Sequence, residues 1–168
     1  MAFADDLLEQ AYHLASRDPV DPTQANLRRA VSTAYYALFH YLIGETVANW
    51  AVARHRAALS RTFDHKQMKA ACESLLRTYY SAGKPESRSK IKNVAEAFAN
   101  LQDARHIADY DVSVHWQRVD SITLVSLARD AFEDWRAIRN DDSAQDFLLS
   151  LFLPRAAEKL ARSANRPE

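Results

Sequence analysis

The sequence predicts an all-α fold, an antiparallel bundle of about five to six helices. Three observations carry this. Apolar residues recur at intervals of three and four in every long segment. No segment shows the period-two alternation of a strand. Glycine occurs only twice in 168 residues, too rarely for a hairpin-rich β fold or a Gly-rich phosphate loop.

The first segment, from Ala4 to Arg17, puts Leu7, Ala11 and Leu14 on one stripe, and the turn from Asp18 to Pro22 ends it. Asp21 is the expected N-cap of the second helix, with Pro22 at its first position. That helix carries Leu27, Val31, Ala34, Tyr35, Leu38 and Leu42 and continues towards Trp50. Between Ala34 and Ile43 it is apolar almost all round, so it is either central in its domain or covered by a partner chain as well. Asp64 caps a third helix, with Met68, Cys72, Leu75, Leu76 and Tyr79 as its stripe and Gly83 and Pro85 as its end. Ser87 or Ser89 opens a fourth, striped by Ile91, Val94, Phe98, Leu101 and Ala108. Asp120 or Ser121 opens a fifth, with Val125, Ala128, Phe132 and Trp135. A short sixth segment runs from Ala144 to Leu153. Length places residues 1–153 in one domain, followed by a charged tail over 154–168.

Composition excludes several classes. Lys and Arg number 22, as do Asp and Glu, so the chain as a whole is not a basic nucleic-acid binder, although local patches remain. Arg54, His55, Arg56, Arg61, His65, Lys66 and Lys69 form one basic stretch; Lys84, Arg88, Lys90 and Lys92 form another. Acidic groups gather later, at Asp130, Glu133, Asp134, Asp141, Asp142 and Asp146. The lone Cys72 reads as a small buried residue in a reducing compartment. The longest stretch free of charged residues, Ala30 to Gly44, is shorter than the ~20 residues of a membrane span. With no basic, apolar leader at the N-terminus, a cytoplasmic location is expected and no membrane association. The six histidines contain no i,i+4 pair and no HExxH, so no metal is expected, and no cofactor.

The fourth helix holds an anomaly. Its apolar stripe, extended by helical spacing, places Arg105 where a core residue belongs. A guanidinium there needs a partner, and Asp109 stands at i+4. His106 and Tyr110 form a second i,i+4 pair on the adjoining face. One turn thus presents a cation, an imidazole, a carboxylate and a phenol. The plain reading is a structural ion pair between helices. The functional one is an anion or phosphate site, since Arg grips phosphoryl oxygens in a fork and an imidazole or phenol moves protons. Tyr36 and His40 on the second helix, and Asp111 after Tyr110, are the candidate surrounding residues. Ser32 and Thr33 have no Asp–His partners nearby in the sequence and form no triad.

Two runs carry a resemblance. Arg28-Arg29-Ala30-Val31-Ser32-Thr33-Ala34-Tyr35-Tyr36-Ala37-Leu38-Phe39-His40 resembles the N-terminal signature helix of the HEPN superfamily. Ala104-Arg105-His106-Ile107-Ala108-Asp109-Tyr110-Asp111 resembles its second signature, an Arg followed by a polar residue and, after four to six residues, a His. The resemblance implies a helical bundle forming a face-to-face homodimer, in which two Arg motifs meet in a cleft. In active members the domain is a metal-independent endoribonuclease, often of toxin–antitoxin or phage-defence type and often beside a nucleotidyltransferase. It therefore implies RNA as substrate, and an antitoxin or nucleotidyltransferase as partner. Arg105, His106 and Tyr110 would be the catalytic residues. The chain departs from the pattern where the second His is expected: Tyr110 stands there, and His115 is ten positions from Arg105. Either His106 or Tyr110 takes that role, or the domain is a non-catalytic module that binds RNA, a nucleotide or a protein.

Overall fold

The computed structural model describes residues 2–18, 20–78 and 85–153. Among these are seven α-helices and no strand: α1 Ala2–Ser16, α2 Gln24–Ala48, α3 Ala53–Ser60, α4 His65–Thr78, α5 Pro85–Tyr110, α6 Arg118–Ile138 and α7 Asp142–Phe152. The all-α expectation holds. No helix among the described residues is long and apolar enough to cross a membrane. The expected charged tail and Tyr79, Gly83 and Lys84 lie outside the described residues.

Helix boundaries depart from the sequence reading at three places. The cap of α2 is Thr23, not Asp21: its Oγ1 accepts the Asn26 N–H at 3.3 Å and its carbonyl accepts that of Leu27 at 3.1 Å. Pro85 opens α5 instead of closing the preceding helix; a proline is at home in a first turn, where its missing N–H has no intrahelical acceptor anyway. Ser87 and Ser121, expected to open their helices, instead lie buried in the first turns of α5 and α6. Asp64 does cap α4, its Oδ1 accepting the N–H groups of Lys66 and Gln67, both at 3.0 Å.

The chain divides into two compact units. The first comprises Met1–Tyr41 and Ala97–Phe132. Within it, α2 and α5 run antiparallel. Going up α2, Arg28 meets Ala108, Ser32 meets Asp109, Tyr36 meets Arg105 and Tyr35 meets Phe98. The α6 segment runs parallel to α2, since Ser121 pairs with Leu27 and Phe132 stacks on Tyr41 with centroids 4.0 Å apart. Ala30, Val31, Ala34, Tyr35, Ala37 and Leu38 are all fully buried. The two-faced helix is therefore central, covered on both apolar faces by its own chain. A smaller cluster of Leu27, Val31, Ala108 and Trp116 closes one end.

The second unit comprises Leu42–Glu96 and Glu133–Glu168. Helices α4 and α7 pack together there, and Phe63 lies 5.4 Å from Phe152. Its polar centre is Glu45, 4% exposed, which accepts the indole N–H of the buried Trp135 at 2.9 Å and pairs with Arg139 at 2.9 Å. A buried carboxylate is tolerable only with such partners, and a hydrogen bond to a charged group contributes about 1.5–3 kcal/mol. Cys72 is fully buried on the α4 stripe, and that burial pushes its thiol far above the ordinary range.

Candidate functional site

The site is built on the last two turns of α5, in the first unit. Its apolar stripe of Ile91, Val94, Phe98, Leu101 and Ala108 is buried throughout, and Arg105 interrupts it as expected. The Arg105 side chain is 19% exposed and that of Asp109 24%. Their ion pair closes at 2.8 Å between Nε and Oδ2. Nη2 donates to the Tyr36 hydroxyl at 2.9 Å. The guanidinium carbon lies 5.5 Å from the Tyr36 ring centre and 5.6 Å from that of Tyr110. Two aromatic rings and a carboxylate thus hold one cation. Burial pulls the Arg105 pKa down, but the Tyr36 phenol and the Asp109 carboxylate outweigh it, and the net shift is upward. Arg105 is charged at any physiological pH.

Asp109 is itself held from below. Its Oδ1 accepts the hydroxyl of Ser32, a buried residue on α2. The register explains why. Ser32 and Tyr36 are one turn apart on α2, Arg105 and Asp109 one turn apart on α5, and the helices are antiparallel. The two i,i+4 pairs therefore meet as a rectangle, with Ser32 on Asp109 and Tyr36 on Arg105.

His106 and Tyr110 are exposed, and their rings are 5.1 Å apart at 50°. Tyr110 is the more open, 65% accessible. His40 is half-buried, one turn beyond Tyr36, with its ring 6.4 Å from Tyr36 and 5.1 Å from Phe3. Asp111 turns elsewhere: its carboxylate accepts the Ser113 hydroxyl at 2.5 Å and the Ser113 N–H at 3.0 Å. These bonds, with a smaller contribution from Arg28, hold its carboxyl below the usual carboxylate range.

The structure thus gathers Arg105, Asp109, Tyr36 and Tyr110, sets His106 against Tyr110 and His40 against Tyr36, and commits Asp111 to its own turn. Three further residues matter that the sequence reading did not assign. Ser32 orients Asp109. Arg28 donates through Nη1 to the carbonyls of Ala108 at 3.0 Å and Asp111 at 2.9 Å, and through Nη2 to that of Val114. A cation at these carbonyls satisfies the open acceptors of the α5 C-terminus. Gln24 clamps the backbone of Trp116, accepting its N–H at 2.9 Å and donating to its carbonyl at 2.8 Å. A signal for the α2 residues does exist: Arg28, Ser32, Tyr36 and His40 form an i,i+4 stripe of hydrogen-bonding groups on an otherwise apolar helix.

Among the described residues no three His, Cys, Asp or Glu side chains come together as a metal-binding set. Comparison of the chain with protein-family models, curated proteins and solved structures found no match.

Proposed function

We propose that this chain is an RNA-directed protein of the HEPN type, in which Arg105 binds a phosphodiester and His106 and Tyr110 stand beside it for proton transfer. The observation that supports it is the held cation. Arg105 is fixed by Asp109 and Tyr36 within the turn that exposes an imidazole and a phenol. Its Nη1 makes no hydrogen bond among the described residues and is the donor a phosphoryl oxygen would take.

The reaction this arrangement suits is transesterification within RNA. The ribose 2′-hydroxyl attacks the adjacent phosphorus and loses its proton to the His106 imidazole. The bond to the 5′-oxygen breaks, and that oxygen takes a proton from the Tyr110 phenol. The products are a 2′,3′-cyclic phosphate and a 5′-hydroxyl. Arg105 offsets the charge that gathers on the phosphoryl oxygens, the kind of contribution whose loss typically costs ~10²–10³ in rate. The HEPN reading brings with it a homodimer and an antitoxin or nucleotidyltransferase partner.

A second reading has one observation in its favour. Asp109 lies 2.8 Å from Arg105 and already balances much of its charge, which suits a domain that binds RNA or a partner protein without cleaving. One experiment separates the two: incubation of a mixed RNA pool with the purified chain in EDTA, beside Arg105→Ala, His106→Ala and Tyr110→Phe. Cleavage lost in Arg105→Ala, with cyclic-phosphate ends, supports the nuclease. RNA retention without cleavage moves the reading to the binding module, and neither retention nor cleavage overturns the RNA-directed reading.

A further inference from the structure

Helix α3 has no buried residue. Most helices of this length are held in place by an apolar face, because eight residues are too few to be stable alone. Here the sequence Ala-Arg-His-Arg-Ala-Ala-Leu-Ser offers only Leu59 as a large apolar side chain, and it is half-buried. What α3 does offer is charge. Between Glu45 and Glu73 the chain has five cations (Arg54, Arg56, Arg61, Lys66 and Lys69) and one acid, Asp64. Asp64 is occupied in capping α4.

Several cations of this unit are matched to carboxylates: Lys90 to Asp134 at 3.0 Å, Lys92 to Glu96 at 3.5 Å, Arg139 to Glu45 at 2.9 Å and, within the stretch itself, Lys69 to Glu73 at 3.5 Å. Arg54, Arg56, Arg61 and Lys66 pair with no carboxylate among the described residues. Arg54 and Arg61 are seven positions apart, on one side of α3 and about 10 Å apart along its axis. Ala57 and Ala58 between them are exposed and small, so a backbone could approach closely there. Just before the helix, Trp50 is 46% exposed, and its carbonyl accepts Arg56 Nε at 3.0 Å. A guanidinium is thereby anchored at the backbone of an exposed aromatic residue.

We propose that Trp50 and the cations of α3 and the segment after it, Arg54, Arg61 and Lys66, bind single-stranded RNA, the cations following the phosphates and Trp50 stacking on a base. The ligand class rests on the RNA-directed reading above; the surface itself is argued from residues 50–66 alone. A bilayer fits less well, because an interfacial helix needs a continuous apolar face and α3 has none.

The test measures anisotropy of a fluorescein-labelled single-stranded RNA against salt, using the full chain with Arg105→Ala so that cleavage does not intervene. The comparison chain adds Arg54→Gln, Arg61→Gln and Lys66→Gln, all exposed positions. At ~0.7 counterions released per phosphate contact, loss of three contacts lowers the slope of log K against log salt by about 2 and weakens binding roughly 100-fold near 0.1 M salt. Trp50→Ala is expected to bind roughly tenfold more weakly with the slope unchanged. Circular dichroism checks that both variants fold, and Arg54→Gln alone, with a slope change near 0.7, serves if the triple variant does not. Equal slopes and affinities overturn the proposal. So does binding that heparin abolishes and Trp50→Ala leaves intact, which marks a generic polyanion surface, or stronger binding to phosphatidylserine vesicles than to RNA. RNA binding that depends on α3 in a chain that never cleaves supports this surface and removes only the nuclease reading.

Discussion

Removing Asp109 tests the rectangle of contacts around Arg105 most directly. With side chains 19% and 24% exposed, the pair lies between two regimes. Exposed ion pairs contribute about 0.2–1 kcal/mol, whereas removing one partner of a buried pair costs about 3–5 kcal/mol. A half-buried pair held at 2.8 Å belongs near 1.5–2 kcal/mol by that interpolation. Asp109→Ala also strips the acceptor from the hydroxyl of buried Ser32, adding about 1 kcal/mol. The expected total is about 2–3 kcal/mol, or a melting temperature lower by roughly 5–10 °C for a chain of this length. Asp109→Asn keeps the shape and an acceptor for Ser32 and loses only the charge, so about half that loss is expected. Thermal and urea melts followed by circular dichroism at 222 nm read these differences. A double-mutant cycle with Arg105→Ala is expected to show ~1–2 kcal/mol of coupling. A loss below ~0.5 kcal/mol for Asp109→Ala, with no coupling and strong sensitivity to salt, would refute the reasoning. The pair would then be a solvent-screened surface contact and Arg105 would owe its position to Tyr36 alone.

Two further outcomes are expected. Arg28→Ala frees three carbonyls, one in the last turn of α5 and two in the segment after it, costs about 2 kcal/mol, and speeds amide exchange over residues 111–117; Arg28→Lys does not restore protection, because an ammonium cannot reproduce the fork. Ser113→Ala removes the main cause of the lowered Asp111 pKa, so the carboxyl titrates closer to the ordinary ~3.9, as read by carbon NMR. Asp111 is depressed in the folded state, so its contribution is complete above the unfolded value and is lost as pH falls through the folded one. Acid unfolding of Ser113→Ala therefore begins at higher pH, and an unchanged Asp111 midpoint would refute the assignment.

Legibility in the sequence followed burial. Phe98, Leu101, Phe132 and Trp135 are buried at the positions their spacing indicated, because a helix that must cover a core repeats its apolar residues at the helical period. The same periodicity exposed Arg105 as the residue out of place and named Asp109 as its partner, since both lie on one helix. Helix α3 went unread because it buries nothing and so has no stripe to find. Thr23 is masked in the sequence by Asp21-Pro22, a stronger local cap signal that the chain does not use. Ser32 has no triad partners in the sequence, and its role as donor to Asp109 depends on which helix lies opposite, which no local pattern encodes.

The sequence by itself determined the helical class and the chemical content of the turn at Arg105, because these depend on residues three or four positions apart. The pairing of α2 with α5, and with it the contacts of Ser32 with Asp109, Tyr36 with Arg105 and Arg28 with the end of α5, was decided only by the tertiary structure. Those partners are about 70 to 86 positions apart. No local periodicity encodes which of several apolar helices will pack against which, nor in what register. That is settled when the chain as a whole finds the one arrangement that buries both faces of α2 and still gives Arg105 and Asp109 their partners.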